Sequence, residues 1–377
     1  MLLENISLVN FKNYNSLKLT FSKEVNCFVG NNGAGKTNIL DAIFYLSMTK
    51  SAFNSIDQQN ISHNEQFFSV QGAILKGEEK YNIHCSLKTG QKKIFKRNKK
   101  IYDKISEHIG EFPVVLIAPN DTDLIREGSE TRRKFFDSIL AQIDQEYLRS
   151  LLQYNHVLKQ RNGLLKQFAD RHYFDKDILE PYDHQIINLG EKIFLKRKEF
   201  MTEFNPGFSQ HFDFLSSKKE LTELRYTSDL FSPDFRKLFK NNLKKDLALQ
   251  RTTMGIHKDD FEFTIEGNPL KKFGSQGQQK SFIIALKLAH FDVIKKVKGF
   301  KPLLLLDDIF DKLDELRIEK LMTMVAGNSF GQIFVTDARP ERTREMFKKV
   351  NSEIFVFVIE DGNLVGEDFE RTGGNDG

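Results

Sequence analysis

The first third of the chain alternates apolar and polar residues, which is the pattern of β-strands with one buried face. A continuous apolar run between Pro113 and Pro119 predicts a further, fully buried strand. We therefore expect a domain built on β-sheet. The alternating segments centre on Ile6/Leu8, Leu17/Leu19/Phe21, Val25/Cys27/Val29, Phe68/Val70 and Tyr81/Ile83/Cys85/Leu87.

Helical spacing replaces this alternation from about residue 129 to residue 201. Pro206 and the mixed stretch through Ser232-Pro233 predict the way out of the helices. A strand at 261–265, a helix at 278–296 and strands at 303–306, 332–335 and 353–359 follow. The pattern predicts an α/β fold with mixed β-sheets and an inserted, mainly α-helical arm. We expect a discontinuous head at 1–125 and 250–370, the arm at 126–249 and a disordered tail at 371–377.

Composition adds little to this picture. The net charge of +4 comes from 56 basic and 52 acidic residues, so any nucleic-acid binding must depend on local patches. Cys27 and Cys85 have no paired spacing, and no apolar run approaches the roughly 20 residues that span a bilayer. These features predict a cytoplasmic protein that does not enter a membrane.

The most informative motif follows the strand at Val25–Val29. It reads Gly30, Asn31, Asn32, Gly33, Ala34, Gly35, Lys36 and Thr37, and residues with helical spacing come next. Glycines let backbone amides approach phosphates, the lysine supplies a positive charge, and the threonine hydroxyl can ligate Mg²⁺. The motif therefore predicts a phosphate-binding loop for a nucleotide.

Two carboxylates, Asp307 and Asp308, follow the apolar run Leu303–Leu306. A buried parallel strand delivers such residues to the carboxyl edge of a sheet, where α/β folds bind ligands. We expect Asp307 to support the metal, and Asp308 to act on an attacking water. The alternative is a pair that caps a helix.

A third candidate segment is Ser275, Gln276, Gly277 and Gln278, which opens the predicted helix at 278–296. Helix N-termini attract anions. Because one phosphate loop suffices for one subunit, a second phosphate-facing helix start suggests a nucleotide completed across a dimer interface. The alternative is a simple helix N-cap at Ser275.

The three segments, in this order, resemble the ATP-binding cassette superfamily, and within it the RecF family of bacterial recombinational-repair proteins. The resemblance covers nearly the whole chain. The matching segments lie at 10–14, 30–40, 127–137, 154–162, 255–260, 275–279 and 306–314. Many ATPases share the nucleotide motifs, whereas Arg132-Arg133 and Gln160-Arg161-Asn162 are far more particular to the RecF family.

This resemblance implies that 30–37 bind ATP and Mg²⁺, with Lys36 and Asp308 in catalysis and Thr37 and Asp307 at the metal. It places Asp314 in a dimer-contacting loop, and Lys12 and Asn13 near the nucleotide. Two positions depart from the family pattern: Lys12 stands where arginine is more frequent, and Ile256 stands where proline is frequent. In addition, the switch strand ends in Thr336-Asp337-Ala338, without the histidine of transporter cassettes.

The implied activity is that of a weak, DNA-dependent ATPase acting as a switch. An ATP-driven homodimer would bind gapped DNA at single-to-double-strand junctions and, with RecR and RecO, promote RecA loading. The alternatives are the ATPase subunit of a transporter and a chromosome-organising head. The latter needs long heptad repeats, and the roughly 70 residues of broken helical pattern predict only a short arm.

The sequence offers more than one group of basic residues that could contact DNA. The densest basic stretch, Lys92–Lys104, has the pattern of a β-hairpin, and a second cluster comprises Lys237, Lys240, Lys244 and Lys245. Arg132, Arg133 and Arg161 have three possible partners: DNA, a nucleotide-driven interface, or carboxylates within the arm. His257 is either a hydrogen-bonded turn residue or a site residue.

Overall fold

The computed structural model describes residues 1–216, 220–309, 315–326, 329–339, 341, 345 and 353–371. By contacts they form two compact units, the first comprising Met1–Asp121 and Leu286–Gly377 and the second Thr122–Ala285. The strands are β1 (Leu2–Phe11), β2 (Tyr14–Thr20), β3 (Val25–Val29), β4 (Phe67–Lys76), β5 (Glu79–Lys88), β6 (Ile94–Arg97), β7 (Lys100–Ile101), β8 (Val114–Ile117), β9 (Thr222–Thr227), β10 (Asp260–Ile265), β11 (Asn268–Pro269), β12 (Leu303–Asp307), β13 (Ile333–Asp337), β14 (Glu353–Glu360) and β15 (Asn363–Arg371).

The α-helices of the described residues are α1 (Lys36–Met48), α2 (Asp123–Arg126), α3 (Ser129–Ile143), α4 (Gln145–Arg171), α5 (Lys176–Leu215), α6 (Phe235–Asn241), α7 (Leu243–Leu249), α8 (Leu270–Phe273), α9 (Gln276–Lys298) and α10 (Glu315–Ala326). None of these helices combines the length and the apolar character that a bilayer crossing requires.

The first unit contains two six-stranded sheets. One is antiparallel, in the order β2-β1-β4-β5-β6-β7, and its alternating residues bury one face and expose the other. The second has the order β15-β14-β3-β13-β12-β8, and all of its neighbours are parallel except β15 with β14. Its central strands β3, β12 and β13 are buried along their whole length, which explains their continuous apolar sequences.

Aromatic packing holds the mixed sheet. The ring of Phe21 meets that of Phe334 edge-on at 4.9 Å, and Phe28 stacks on Phe357 at 5.3 Å. Rings in these geometries add about 0.5–1.5 kcal/mol per pair beyond the area they bury. The parallel pairing of β3 with β13 and of β13 with β12 places the carboxyl ends of these strands side by side.

The second unit combines helices α2–α8 and the start of α9 with the small antiparallel sheet β11-β10-β9. Because β9 pairs with β10 along six residues, from Thr222 to Thr227, the segment after residue 250 joins the helical unit. By contacts the second unit thus extends to Ala285, past the residue 250 at which we expected the head to resume.

The expected helix end at Pro206 is wrong, because this proline lies inside the 40-residue helix α5. An interior proline costs about 3 kcal/mol. The same helix buries Phe200, Phe204, Phe208 and Phe212, and burial of one such side chain contributes about 1.5–3 kcal/mol. Packing therefore outweighs the local preference to stop.

The first residue of the expected tail, Arg371, belongs to a strand. Arg371 pairs with Glu353 at the end of β15. Residues 372–377 lie outside the described part of the chain.

Candidate functional site

The loop between β3 and α1 has the backbone that a phosphate-binding loop requires. Gly30, Gly33 and Gly35 have φ values of 149°, 85° and 112°, in a region that glycine adopts without steric strain. A Cβ atom on Gly35 would lie 2.4 Å from Nδ2 of Asn13, and one on Gly30 would lie 2.1 Å from the carbonyl oxygen of Ile359. No other residue type fits at these two positions.

Lys36 begins α1, and its ammonium group lies over the loop. It donates hydrogen bonds to the carbonyl oxygens of Gly30 at 2.7 Å and Asn31 at 2.8 Å. Burial lowers the pKa of Lys36, while the charges of Asp308, Asp307 and Asp337 oppose that shift. The structure therefore places a positive charge where phosphate oxygens would bind.

Asp307 lies at the end of β12 and joins the loop to the sheet edge. Its Oδ1 accepts hydrogen bonds from the hydroxyls of Thr37 and Thr336, both at 2.8 Å. Burial raises the pKa of Asp307, and these hydrogen bonds oppose the shift. Within the part of the chain that the structure describes, the side-chain partners of this carboxylate are these two hydroxyls.

This donor set suits Mg²⁺. The ion typically takes one or two carboxylates together with a hydroxyl, waters and substrate phosphates rather than a complete protein cage. Thr37 and Asp307 supply a hydroxyl and a carboxylate at one point. Consistently, no cluster of three or more acidic, histidine or cysteine ligands occurs within the described ranges.

Asp308 follows Asp307 with a left-handed backbone, with φ of 45°. Its amide donates to Oγ1 of Thr336 at 2.9 Å. Thr336 therefore positions both acids, since its hydroxyl donates to one and accepts from the backbone of the other. Sequence reasoning did not assign Thr336 or Asp337 a role, although a polar pair after a buried parallel strand was a usable signal.

Asn13 contacts the loop directly. Its Nδ2 donates to the carbonyl oxygen of Ala34 at 3.2 Å, and its Oδ1 accepts from Asn38 at 2.7 Å. Lys12 instead forms an ion pair with the buried Asp41 of α1 at 2.5 Å, below the ring of Phe53. Its ammonium thus stabilises the first helix, and its expected contact with a nucleotide stays a prediction.

In the second unit, Ser275 caps α9. Its backbone amide donates to Oε1 of Gln278 at 2.6 Å, and the Gln278 amide donates to the Ser275 hydroxyl at 3.2 Å. This reciprocal pair is a capping box. Ser275 and Gln276 are exposed, whereas Gly277 and Gln278 are half-buried. Asp314, expected in a dimer-contacting loop, lies outside the described residues.

Comparison with known proteins identifies the family of this chain. Residues 2–363 match the family model "RecF/RecN/SMC N terminal domain". The chain is 52% identical over 357 residues to the "DNA replication and repair protein RecF" of Flavobacterium johnsoniae, covering 95% of this chain and 99% of that protein. The protein of the same name from Cytophaga hutchinsonii is 47% identical and covers 97% of this chain and 96% of its own length.

The chain belongs to the RecF family.

A solved structure, described as the "recombination mediator protein RecF-ATP in RecFOR pathway", superposes on this RecF-family chain with a TM-score of 0.87. Identity is 29%, and the match covers 98% of this chain and 97% of that one. The expected head fold is therefore confirmed.

The arginines of this RecF-family arm are held by carboxylates and carbonyls. Arg132 binds Asp260 through two bonds of 2.8 and 2.9 Å. Arg133 donates to the carbonyl oxygen of Asp259, and Arg161 is fully buried against the carboxylates of Asp183 and Asp246. Of the three alternatives, carboxylates within the arm describe Arg161, and the carboxylate that binds Arg132 lies beyond the expected arm but in the same compact unit.

Arg197 of α5, which sequence reasoning missed, is the centre of a second buried network. It binds Asp137 at 2.9 Å, Asp259 at 2.8 Å and the carbonyl oxygen of Ile256 at 2.9 Å. His257 lies between the hydroxyl of Tyr154 and the carbonyl of Thr252. Burial lowers the pKa of His257 to about 4, so it is neutral at pH 7 and serves as a hydrogen-bonded turn residue.

The predicted hairpin forms as β6 and β7, but its basic residues divide into two groups. Lys93 turns inward to Asp57 at 2.7 Å, and Arg97 lies against the rings of Tyr81 and Tyr102. Charge density along the sequence therefore overstates the basic surface. The exposed members of the stretch are Lys92, Lys99, Lys100 and Lys104.

Proposed function

We propose that this protein is an ATP-gated DNA-binding switch of recombinational repair and replication. One observation carries the proposal: Lys36, Thr37 and the strand-end carboxylate Asp307 converge at the phosphate loop. These three side chains are suited to a nucleoside triphosphate with Mg²⁺. The recombination-mediator description of the similar structure supports the biological setting.

The chemistry would be hydrolysis of the γ-phosphate. Loop amides and Lys36 would hold the phosphates, and Thr37 and Asp307 would hold Mg²⁺, which neutralises developing charge. Asp308 would accept a proton from the attacking water, while the oxygen of that water bonds to the γ-phosphorus. The bond between that phosphorus and the β,γ-bridging oxygen would break, releasing ADP and phosphate.

Dimerisation would couple ATP to DNA. The N-terminus of α9, with Ser275, Gln276, Gly277 and Gln278, would complete the nucleotide site of a second copy, and Asp314 would act at the same interface. ATP can drive this closure only if the closed dimer binds it more tightly than the open monomer does. Slow, DNA-dependent hydrolysis would then release the clamp.

The DNA partner we propose is gapped DNA at a single-to-double-strand junction. The proposed protein partner is RecR, which with RecO would promote loading of RecA. The similar structure is described as part of the RecFOR pathway, which supports these partners. Membership of the RecF family, rather than of a transporter family, disfavours the transporter alternative.

Lys36→Met is expected to abolish ATP-dependent dimerisation, because the phosphates lose their charged partner in the loop. Light scattering with and without ATP and Mg²⁺ measures the mass directly. Lys240→Met, which removes an exposed lysine of α6, is the matched control and should dimerise like the parent. A Lys36→Met protein that still doubles its mass with ATP would contradict the proposal.

Ser275→Arg is expected to bind nucleotide as a monomer and fail to dimerise, because a long cation would occupy the partner's site. Loss of the capping box alone should cost about 1 kcal/mol. Ser275→Ala measures that loss in a thermal melt, and sedimentation of both variants with ATP separates capping from dimerisation. Normal dimers of Ser275→Arg would remove Ser275 from the interface.

A further inference from the structure

The antiparallel sheet of the first unit has an outward face that the proposed ATP site does not use. We define the sheet face as those outward positions of β4–β7 that lie within 67–71 and 82–101 and alternate with the buried ones. They are Phe67, Ser69, Gln71, Asn82, His84, Ser86, Lys88, Ile94, Lys96 and Ile101.

The strand register aligns these side chains in rows. Gln71 lies opposite His84, which lies opposite Lys96, and Ser69 lies opposite Ser86. Within 67–101, all of which the structure describes, the sheet face contains hydroxyls, amides, an imidazole and lysines but no carboxylate. Exposed Lys92, Lys99 and Lys100 in and beside the hairpin turns add positive charge at its rim.

The limits of this basic surface are visible in the same sheet. Lys80 is paired with Glu4 at 2.6 Å. Lys18 of β2 shares a groove with Glu24, Glu353 and Glu367. Acidic neighbours thus confine the positive surface to the part of the sheet that carries Lys88, Lys92 and Lys96.

The positive charge comes from the lysines. Burial lowers the pKa of His84, and the charge of Lys96 lowers it further, so the imidazole is neutral at pH 7. Instead, Nε2 of His84 and the hydroxyl of Ser69 share a hydrogen bond of 2.9 Å.

We propose that the sheet face binds the sugar-phosphate backbone of duplex DNA. This inference rests on the proposed function and adds to it the surface that holds the nucleic acid. Lysines, hydroxyls and amides are the groups that contact phosphates and sugars without reading sequence.

A duplex suits this surface better than a single strand. Single-strand binders stack successive bases on several aromatic side chains, and the sheet face has one, Phe67. From strand geometry, Lys88 and Lys96 are about 14 Å apart. One strand of a duplex presents a phosphate about every 3.4 Å along the axis, so the lysines contact different phosphates.

The test uses the full chain with ATP, Mg²⁺ and a fluorescent duplex, with affinity measured by anisotropy between about 50 and 200 mM salt. The variant is Lys88→Ala/Lys92→Ala/Lys96→Ala. Its control, Lys237→Ala/Lys240→Ala/Lys244→Ala, removes the same charge from α6 and α7. Lys18→Ala is a second control, from the acidic part of the same sheet.

Loss of three phosphate contacts should weaken binding about 10- to 100-fold. The negative slope of log K against log salt should become shallower by up to about 2.7. The controls should keep a slope closer to that of the parent. If the sheet variant loses no more slope than the α6–α7 variant, the sheet face is not the DNA surface, and DNA binding itself stands. If the parent binds no duplex, the proposed function fails as well.

A label gives an independent reading. Cys27 and Cys85 are both buried, so Gln71→Cys provides the one exposed thiol among the described residues of that variant. An environment-sensitive dye on it should respond to duplex DNA, whereas the same dye on Lys240→Cys should not. An unchanged signal at Gln71→Cys with DNA bound would overturn the assignment.

Discussion

Asp308→Asn is expected to lower ATP hydrolysis by about 10²–10⁴-fold, the usual contribution of a positioned general base. ATP binding and dimerisation should persist, because Lys36, Thr37 and Asp307 are untouched. The variant should therefore accumulate as a closed dimer on DNA. Phosphate release and light scattering on gapped DNA measure the two effects separately.

Asparagine is the right replacement for a structural reason. Residue 308 has φ of 45°, a left-handed conformation that asparagine tolerates better than alanine does. The backbone bond from residue 308 to Thr336 is retained. A rate change then reports the lost carboxylate rather than a strained loop.

Asp337→Asn is the matched control for this prediction. Asp337 is also buried at a strand end, and its Oδ1 accepts the Arg339 amide at 3.0 Å, a bond that an amide oxygen can still accept. Parent-like hydrolysis by Asp308→Asn, with loss in Asp337→Asn, would transfer the role to Asp337.

Arg197→Leu is expected to destabilise the helical unit by about 3–5 kcal/mol, because it leaves buried carboxylates without their cation. Arg197 is fully buried and pairs with Asp137 and Asp259. Urea unfolding followed by circular dichroism measures the loss. Lys196→Leu, at the neighbouring position, breaks a partly exposed pair with Asp144 and should cost at most about 1 kcal/mol.

The loss in Arg197→Leu should shrink on acidification. Burial raises the pKa of Asp259 to about 6 even though Arg197 opposes the shift, so the folded state binds this proton more tightly than the unfolded state. The stabilisation by this proton is full below the unfolded pKa and disappears as the pH rises through the folded pKa. An equal loss at pH 5 and pH 8 would show that Asp259 is not the uncompensated charge.

Local motifs were the predictable part of the site. The phosphate loop and Asp307-Asp308 depend on a strand, a turn and a helix that adjoin in sequence, so pattern and spacing suffice to place them. Thr336 was missed because its partners, Asp307 and Asp308, are close to it only through the pairing of β12 with β13. The alignment that makes it a shared partner of Asp307 and Asp308 is a property of the sheet.

Charge runs were the unpredictable part. Lys93 and Lys96 are three residues apart in one basic stretch, yet the first is held by Asp57 and the second belongs to the sheet face. Pro206 is similar, because a local stop signal was overcome by the phenylalanines that α5 buries. In both cases the partner decides the outcome, and the partner is distant in sequence.

By itself the sequence determined the strand-loop-helix that holds phosphates, the carboxylates at a strand end and the family to which they point, because these depend on neighbouring residues and on residue type. Only the tertiary structure decided which arginines are neutralised inside the arm and which lysines face outward. Burial and ion pairing depend on side chains brought together from distant segments, and their free energies exceed the local preferences of any one segment.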